Sequence, residues 1–126
     1  MTPEVEVLGD AVEAPRVTEL VIEALAARGI SDGHVAVSFV GAGEMAALNA
    51  EHRGKDGPTD VLSFPVDEDL EVAGPRELGD VVICPEHTTD LEEAIVHGAL
   101  HLAGMDHETD DGEMLALQDE LMAALK

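Results

Sequence analysis

Apolar periodicity switches between 3.6 and 2 several times along this chain, and few architectures satisfy that order. Val17, Leu20, Val21 and Leu25 recur at helical spacing after Pro15 until Gly29 ends the pattern, which predicts a helix with proline in its first turn. HVAVSFV, residues 34 to 40, alternates with Val35, Val37 and Phe39 on one side and predicts a strand with one buried face. GEMAALNAEH predicts a short helix, followed by the turn-rich RGKDGPTD. VLSFPV and LGDVVIC are short, β-branched and bounded by Pro or Gly, so both are predicted strands, with a weaker edge strand near VEVLG.

TTDLEEAIVHGALHLAG opens with a capping-box pattern, Thr89 with Glu92, and carries an apolar stripe at Leu91, Ile95 and Leu102. EMLALQDELMAALK predicts a last helix, capped near Thr109, with Met114, Leu117, Leu121 and Leu125 on one face. Helices and strands in this irregular order predict an α+β domain, a small mixed β-sheet with packed helices. With 126 residues, 45% of them hydrophobic, the expectation is one domain over residues 1–126. The acidic stretch DEDLEVAGPRE, 67 to 77, reads as a surface loop.

The charge balance excludes some classes. Against 28 acidic residues stand 6 basic ones, a formal net charge of -22 that repels phosphate backbones at long range. Phe39 and Phe64 are the only aromatic residues besides histidine, so platforms for stacking bases are scarce. No apolar run approaches a membrane span and MTPEVEVLGD is unlike a signal peptide, so the expectation is a cytoplasmic protein with no membrane partner. Cys84, the single cysteine, lies in the run VVIC and is expected to be a small buried hydrophobe.

The chemistry concentrates in HGALHLAGMDH, residues 97 to 107. Residues four apart stack on one helix face, so His97 and His101 aim two imidazoles at a common point. Gly104 can adopt the left-handed conformation that ends a helix, which lets His107 return to the same centre. Three imidazoles suit Zn²⁺ and leave a fourth position open, the catalytic arrangement. The spacing matches the metzincin protease pattern H-E-x-x-H-x-x-G-x-x-H, except that Gly98 stands where those enzymes carry their general base. Glycine in a helix interior costs roughly 1 kcal/mol relative to alanine, so Gly98 serves either close packing or free space beside the metal.

HGALHLAGMDH resembles the signature H-G-x-L-H-L-x-G-x-D-H of the YbeY family, bacterial endoribonucleases of ribosomal RNA maturation. LNAEHRGKDGPTDVLSFP, 48 to 65, and LGDVVIC resemble two further blocks of that family, in the same order. The resemblance implies one zinc ion per chain held by His97, His101 and His107 in a cleft at the end of a central helix. It also implies a functional arginine at Arg53. The implied activity is metal-dependent cleavage of single-stranded RNA, in maturation of the 16S rRNA 3′ end and in ribosome quality control, with the ribosome or ribosome-associated proteins as partners and no DNA substrate.

The residues themselves support Arg53. Arg53 and Lys55 lie two apart in what reads as one Gly-rich loop, where a guanidinium can clamp a phosphate and Lys55 can add a weaker substrate contact. The plainer reading pairs Arg53 with Glu51 or Asp56. Asp106 is a candidate second-layer acceptor or a cap. His34, His52 and His87, with no partner at ligand spacing, are read as structural, and the acidic run from Glu108 to Glu113 as a solvated helix start. Two alternatives stand beside the nuclease: a zinc hydrolase acting on peptide or amide bonds, and a non-catalytic ribosome-assembly factor with a structural metal.

Overall fold

The computed structural model of the chain describes residues 3–65, 77–105 and 111–125. Along it run β1 (Glu4–Leu8), α1 (Ala14–Ala27), β2 (His34–Phe39), α2 (Ala42–Arg53), β3 (Val61–Pro65), β4 (Glu77–Ile83), a 3-10 turn (Pro85–His87), α3 (Leu91–Leu102) and α4 (Glu113–Leu125). The sheet has the order β1-β2-β4-β3, with β1, β2 and β4 parallel and the edge strand β3 antiparallel to β4. The predicted α+β class, a small mixed sheet with packed helices, is the observed one.

Val35 and Val37 of β2 and Val81 and Ile83 of β4 face the larger core, which they share with α1, α3 and α4. Leu62 of β3, Val82 of β4 and Cys84 just beyond it face the other way and enclose Met45 of α2. β4 is therefore apolar on both faces, which is why VVIC reads as a continuous apolar run rather than an alternation. Cys84 is buried, as expected. The same covering reaches β2, where Ala36 is buried as well as Val35 and Val37.

The register slips between His34 and Val35, which pair with Glu77 and Gly79, so Leu78 is the extra residue of a bulge in β4. That insertion lets Leu78 join Val81 and Ile83 in the larger core despite its place in the alternation.

α1 buries Val17, Leu20, Val21 and Leu25, the predicted stripe, with Ala24. Its Arg16 ties three helices: Nε and Nη2 donate to the two carboxylate oxygens of Glu92 on α3, each at 2.9 Å, and Nη2 also donates to the Leu125 carbonyl of α4. One of the six basic residues is thus committed to the fold.

Two predicted boundaries shift. α2 extends through Arg53, so Arg53 belongs to the last helical turn and not to the loop; Gly54, at φ 65°, makes the cap. The N-cap of α3 is Asp90, not Thr89: the Asp90 side chain accepts from the Glu93 amide at 3.1 Å. Both changes are moves of one residue or a few at an element end, where competing caps lie side by side. α4 buries Met114, Gln118 and Met122, while the predicted Leu117, Leu121 and Leu125 are half-buried. The expected cap at Thr109, residues 67–76 of the first acidic stretch and residues 108–110 of the second lie outside the described residues.

Candidate metal centre

α3 lies across β4 at a distance set by Gly98. A Cβ built on Gly98 would fall 2.4 Å from Cγ1 of Val81 and 3.0 Å from its Cγ2. Of the two uses of this glycine, close packing is the one the structure displays. The same contact bars any longer side chain at this position, so a glutamate base cannot occupy it without moving the helix off the sheet.

Beside Gly98 on α3 stand His97 and His101, both half-buried. Their rings lie 4.8 Å apart between centroids with their planes at 73°. Imidazole nitrogens are donors of the kind zinc takes, and these two are the pair that the described residues bring together; no group of three or more His, Cys, Asp or Glu able to hold a metal occurs among the described residues. His97 Nδ1 lies 2.7 Å from Oε1 of Gln118 on α4.

Beyond His101 the helix ends as the sequence requires. Gly104 takes φ 97°, its amide donates to the His101 carbonyl at 3.0 Å, and the Met105 amide donates to the Leu100 carbonyl at 3.1 Å. This double bond pattern reverses the chain and returns Met105 to the core. His107, the third candidate ligand, and Asp106 lie outside the described residues.

His52 of α2 and Gly98 of α3 meet the edge strand β3 at Phe64 and Ser63, adjacent residues that face opposite sides of the sheet. On one face the His52 ring, next to Arg53, stacks edge-on against Phe64 at 4.8 Å between centroids. On the other the Ser63 hydroxyl, next to Phe64, donates to the Gly98 carbonyl at 3.4 Å, one residue from His97. The Arg53 and Lys55 side chains are exposed, and among the described residues Arg53 makes no ion pair, with Glu51 and Asp56 included.

Two polar residues that the sequence reading did not single out hold this neighbourhood together. Asn49, buried one turn before Arg53, donates through Nδ2 to the Gly57 carbonyl at 2.8 Å and so fixes the loop that carries Lys55. Its Oδ1 has no hydrogen-bond partner among the described residues. Gln118 is the other. Its signal was a polar residue at the centre of the i, i+4 row Met114, Gln118, Met122, on a face otherwise apolar.

The remaining histidines have other neighbours. His34 Nδ1 lies 2.8 Å from Glu77 Oε2, with Glu6 Oε2 3.9 Å from its Nε2, so it bridges three adjacent strands. His87 ends the 3-10 turn.

The sequence profile described as Endoribonuclease YbeY matches residues 10–126. The chain belongs to the YbeY family. Its YbeY relatives include an Endoribonuclease YbeY of Macrococcus caseolyticus, 38% identical over 91% of this chain and 87% of the relative. An Endoribonuclease YbeY of Rubrobacter xylanophilus is 43% identical over 88% of this chain and 84% of its own. Among solved structures, the solution structure of a Thermotoga maritima protein superimposes with a TM-score of 0.60 at 31% identity, covering 96% of this chain and 88% of the other.

Proposed function

We propose that this chain, acting as one domain over residues 1–126, is a zinc-dependent endoribonuclease of the cytoplasm that cuts single-stranded RNA. Its substrate is the 3′ end of 16S rRNA in maturation and ribosome quality control, reached through the ribosome or ribosome-associated proteins. The observation that carries this reading is the pair of imidazoles, His97 and His101, set together on α3 at the face of a sheet in a YbeY chain. His97, His101 and His107 would hold one zinc ion per chain. When bound, zinc supplies Lewis acidity toward a phosphodiester oxygen.

Everything else is work for the protein's own side chains. Arg53, exposed and without an ion-pair partner among the described residues, is available to clamp the scissile phosphate through two parallel N–H donors. Lys55, in the loop fixed by Asn49, adds a point charge for a neighbouring phosphate. Gly98 supports the choice of RNA over peptide, because its contact with Val81 leaves no room for the carboxylate that the protease pattern uses there. Among the described residues no helix is long and apolar enough to cross a membrane.

The strongly acidic composition disfavours a large RNA footprint, which supports delivery by a ribosomal partner. Metal analysis of the purified chain against His101→Ala, with chelation and refolding, separates this function from its rivals. The nuclease binds one zinc ion, loses it in His101→Ala, and cuts RNA only when loaded. Zinc without RNA cleavage, in a chain that stays folded after chelation, indicates a hydrolase of another substrate. Unfolding on chelation without turnover indicates an assembly factor with a structural metal.

A further inference from the structure

α4 sends one polar side chain into the interior. Gln118 is 6% exposed, with Met114 and Met122 buried one turn to either side. Burying an amide costs free energy unless it is hydrogen-bonded, and a leucine here would continue the apolar row without that cost. The partner it has is His97, through an Oε1 to Nδ1 contact of 2.7 Å.

We infer that Gln118 is a positioning residue for His97: its amide oxygen holds the imidazole in the tautomer that carries its proton on Nδ1 and presents the Nε2 lone pair to the metal. The inference rests on the zinc-site reading above. An amide oxygen can only accept, so the contact requires the proton to be on Nδ1. A neutral imidazole has one such proton, so the lone pair is then on Nε2, and the Nδ1 bond also fixes the rotation of the ring about its own axis.

The choice of an amide has a chemical consequence. Histidine ligands commonly donate to a carboxylate, which makes the imidazole a stronger base and adds negative charge beside the metal. Gln118 supplies the same geometry without that charge, in a chain that already carries a net charge of -22. The contact also gives α4 a task in the site although none of its residues is a ligand. α1 contributes indirectly, because Arg16 bonds both Glu92 of α3 and the end of α4.

The test uses the full chain, ¹⁵N-labelled on histidine and stripped of metal, together with zinc affinity by competition against a chelator. In the wild type, imidazole NMR should find His97 protonated on Nδ1. Gln118→Leu, which packs at least as well, should lose that tautomer preference and bind zinc about 10- to 100-fold more weakly, the usual cost of losing an outer-layer partner. Gln118→Glu keeps an acceptor and should keep the tautomer, with zinc bound at least as tightly as by the wild type. An Nε2-protonated His97 in the metal-free wild type would overturn the inference, as would a leucine variant with unchanged tautomer and zinc affinity. A wild type that takes up no zinc sinks the zinc reading instead, and the metal-free spectra still decide whether Gln118 sets the tautomer.

Discussion

Gly98 of α3 sits so close to Val81 of β4 that the smallest side chain would place a carbon 2.4 Å from a valine methyl. One contact thereby sets the height of the histidine helix above the sheet and the absence of a carboxylate between the two histidines.

Gly98→Ala is therefore expected to destabilise the chain although alanine is the better helix former by about 1 kcal/mol. Overpacking of this kind costs about 1 to 3 kcal/mol. Val81→Ala in the same chain should recover part of the loss, because it removes both methyls that the new carbon meets. Denaturant melts of the two single variants and the double decide it. An alanine variant as stable as the wild type would show that the helix position is set elsewhere.

Arg53→Ala should leave zinc content and melting temperature unchanged, since the side chain is exposed and makes no ion pair among the described residues. RNA cleavage should fall about 10²- to 10³-fold, the scale for losing one donor to developing charge. Arg53→Lys should recover little, because a lysine cannot reproduce a bidentate clamp. Loss of metal in parallel with activity would make the arginine structural.

How much of this was legible beforehand depended on whether a residue's role is local. The stripe of α1 and the turn at Gly104 follow from periodicity and backbone sterics, and both appear as expected. The helical placement of Arg53 was missed because GKDG suggests a loop from its first residue, whereas Gly54 caps a helix that runs up to it. Gln118 stood out as a polar residue in an apolar row, but its role, like the Leu78 bulge, was hidden for another reason. Each is explained by a partner distant in sequence, His97 for the one and the pairing of β2 with β4 for the other. The packing role of Gly98 was one of two readings until Val81 was placed beside it.

Stability should respond to pH through two carboxylates of opposite sign. The Glu92 carboxyl is held below its ordinary range, first by the hydrogen bond from Arg16, so it contributes stability above the unfolded carboxylate pKa, about 4.3. That contribution disappears as pH falls through the lower folded value. Asp80 is pushed up, first by burial and then by the nearby Glu77 carboxylate, so its ionisation opposes folding above its folded pKa and not below the unfolded value. Glu92→Gln should lower the melting temperature at pH 7, with the difference closing as pH falls through the lowered folded value. Asp80→Asn should raise it at pH 7, with the gain vanishing as pH falls to the unfolded carboxylate value. A gain for Asp80→Asn that persists unchanged into acid would contradict the charge argument.

Salt should have a modest effect on RNA binding. If Arg53 and Lys55 are the phosphate contacts, two neutralised charges on a single strand give a slope of log K against log salt of about -1.4. Titration of a labelled single-stranded RNA across salt concentrations measures it, and a slope several times steeper would place the RNA on a basic surface that this reading does not contain.

The central claim is that the histidines of α3 carry RNA cleavage, and the most direct test is the rate at which the chain cuts single-stranded RNA from the 3′ end of 16S rRNA, wild type against His101→Ala. Both proteins are purified identically, so that a trace contaminating nuclease would act equally in each. The account predicts cleavage by the zinc-loaded wild type and loss to background in the variant, which should still fold. Equal cleavage by the two would contradict it.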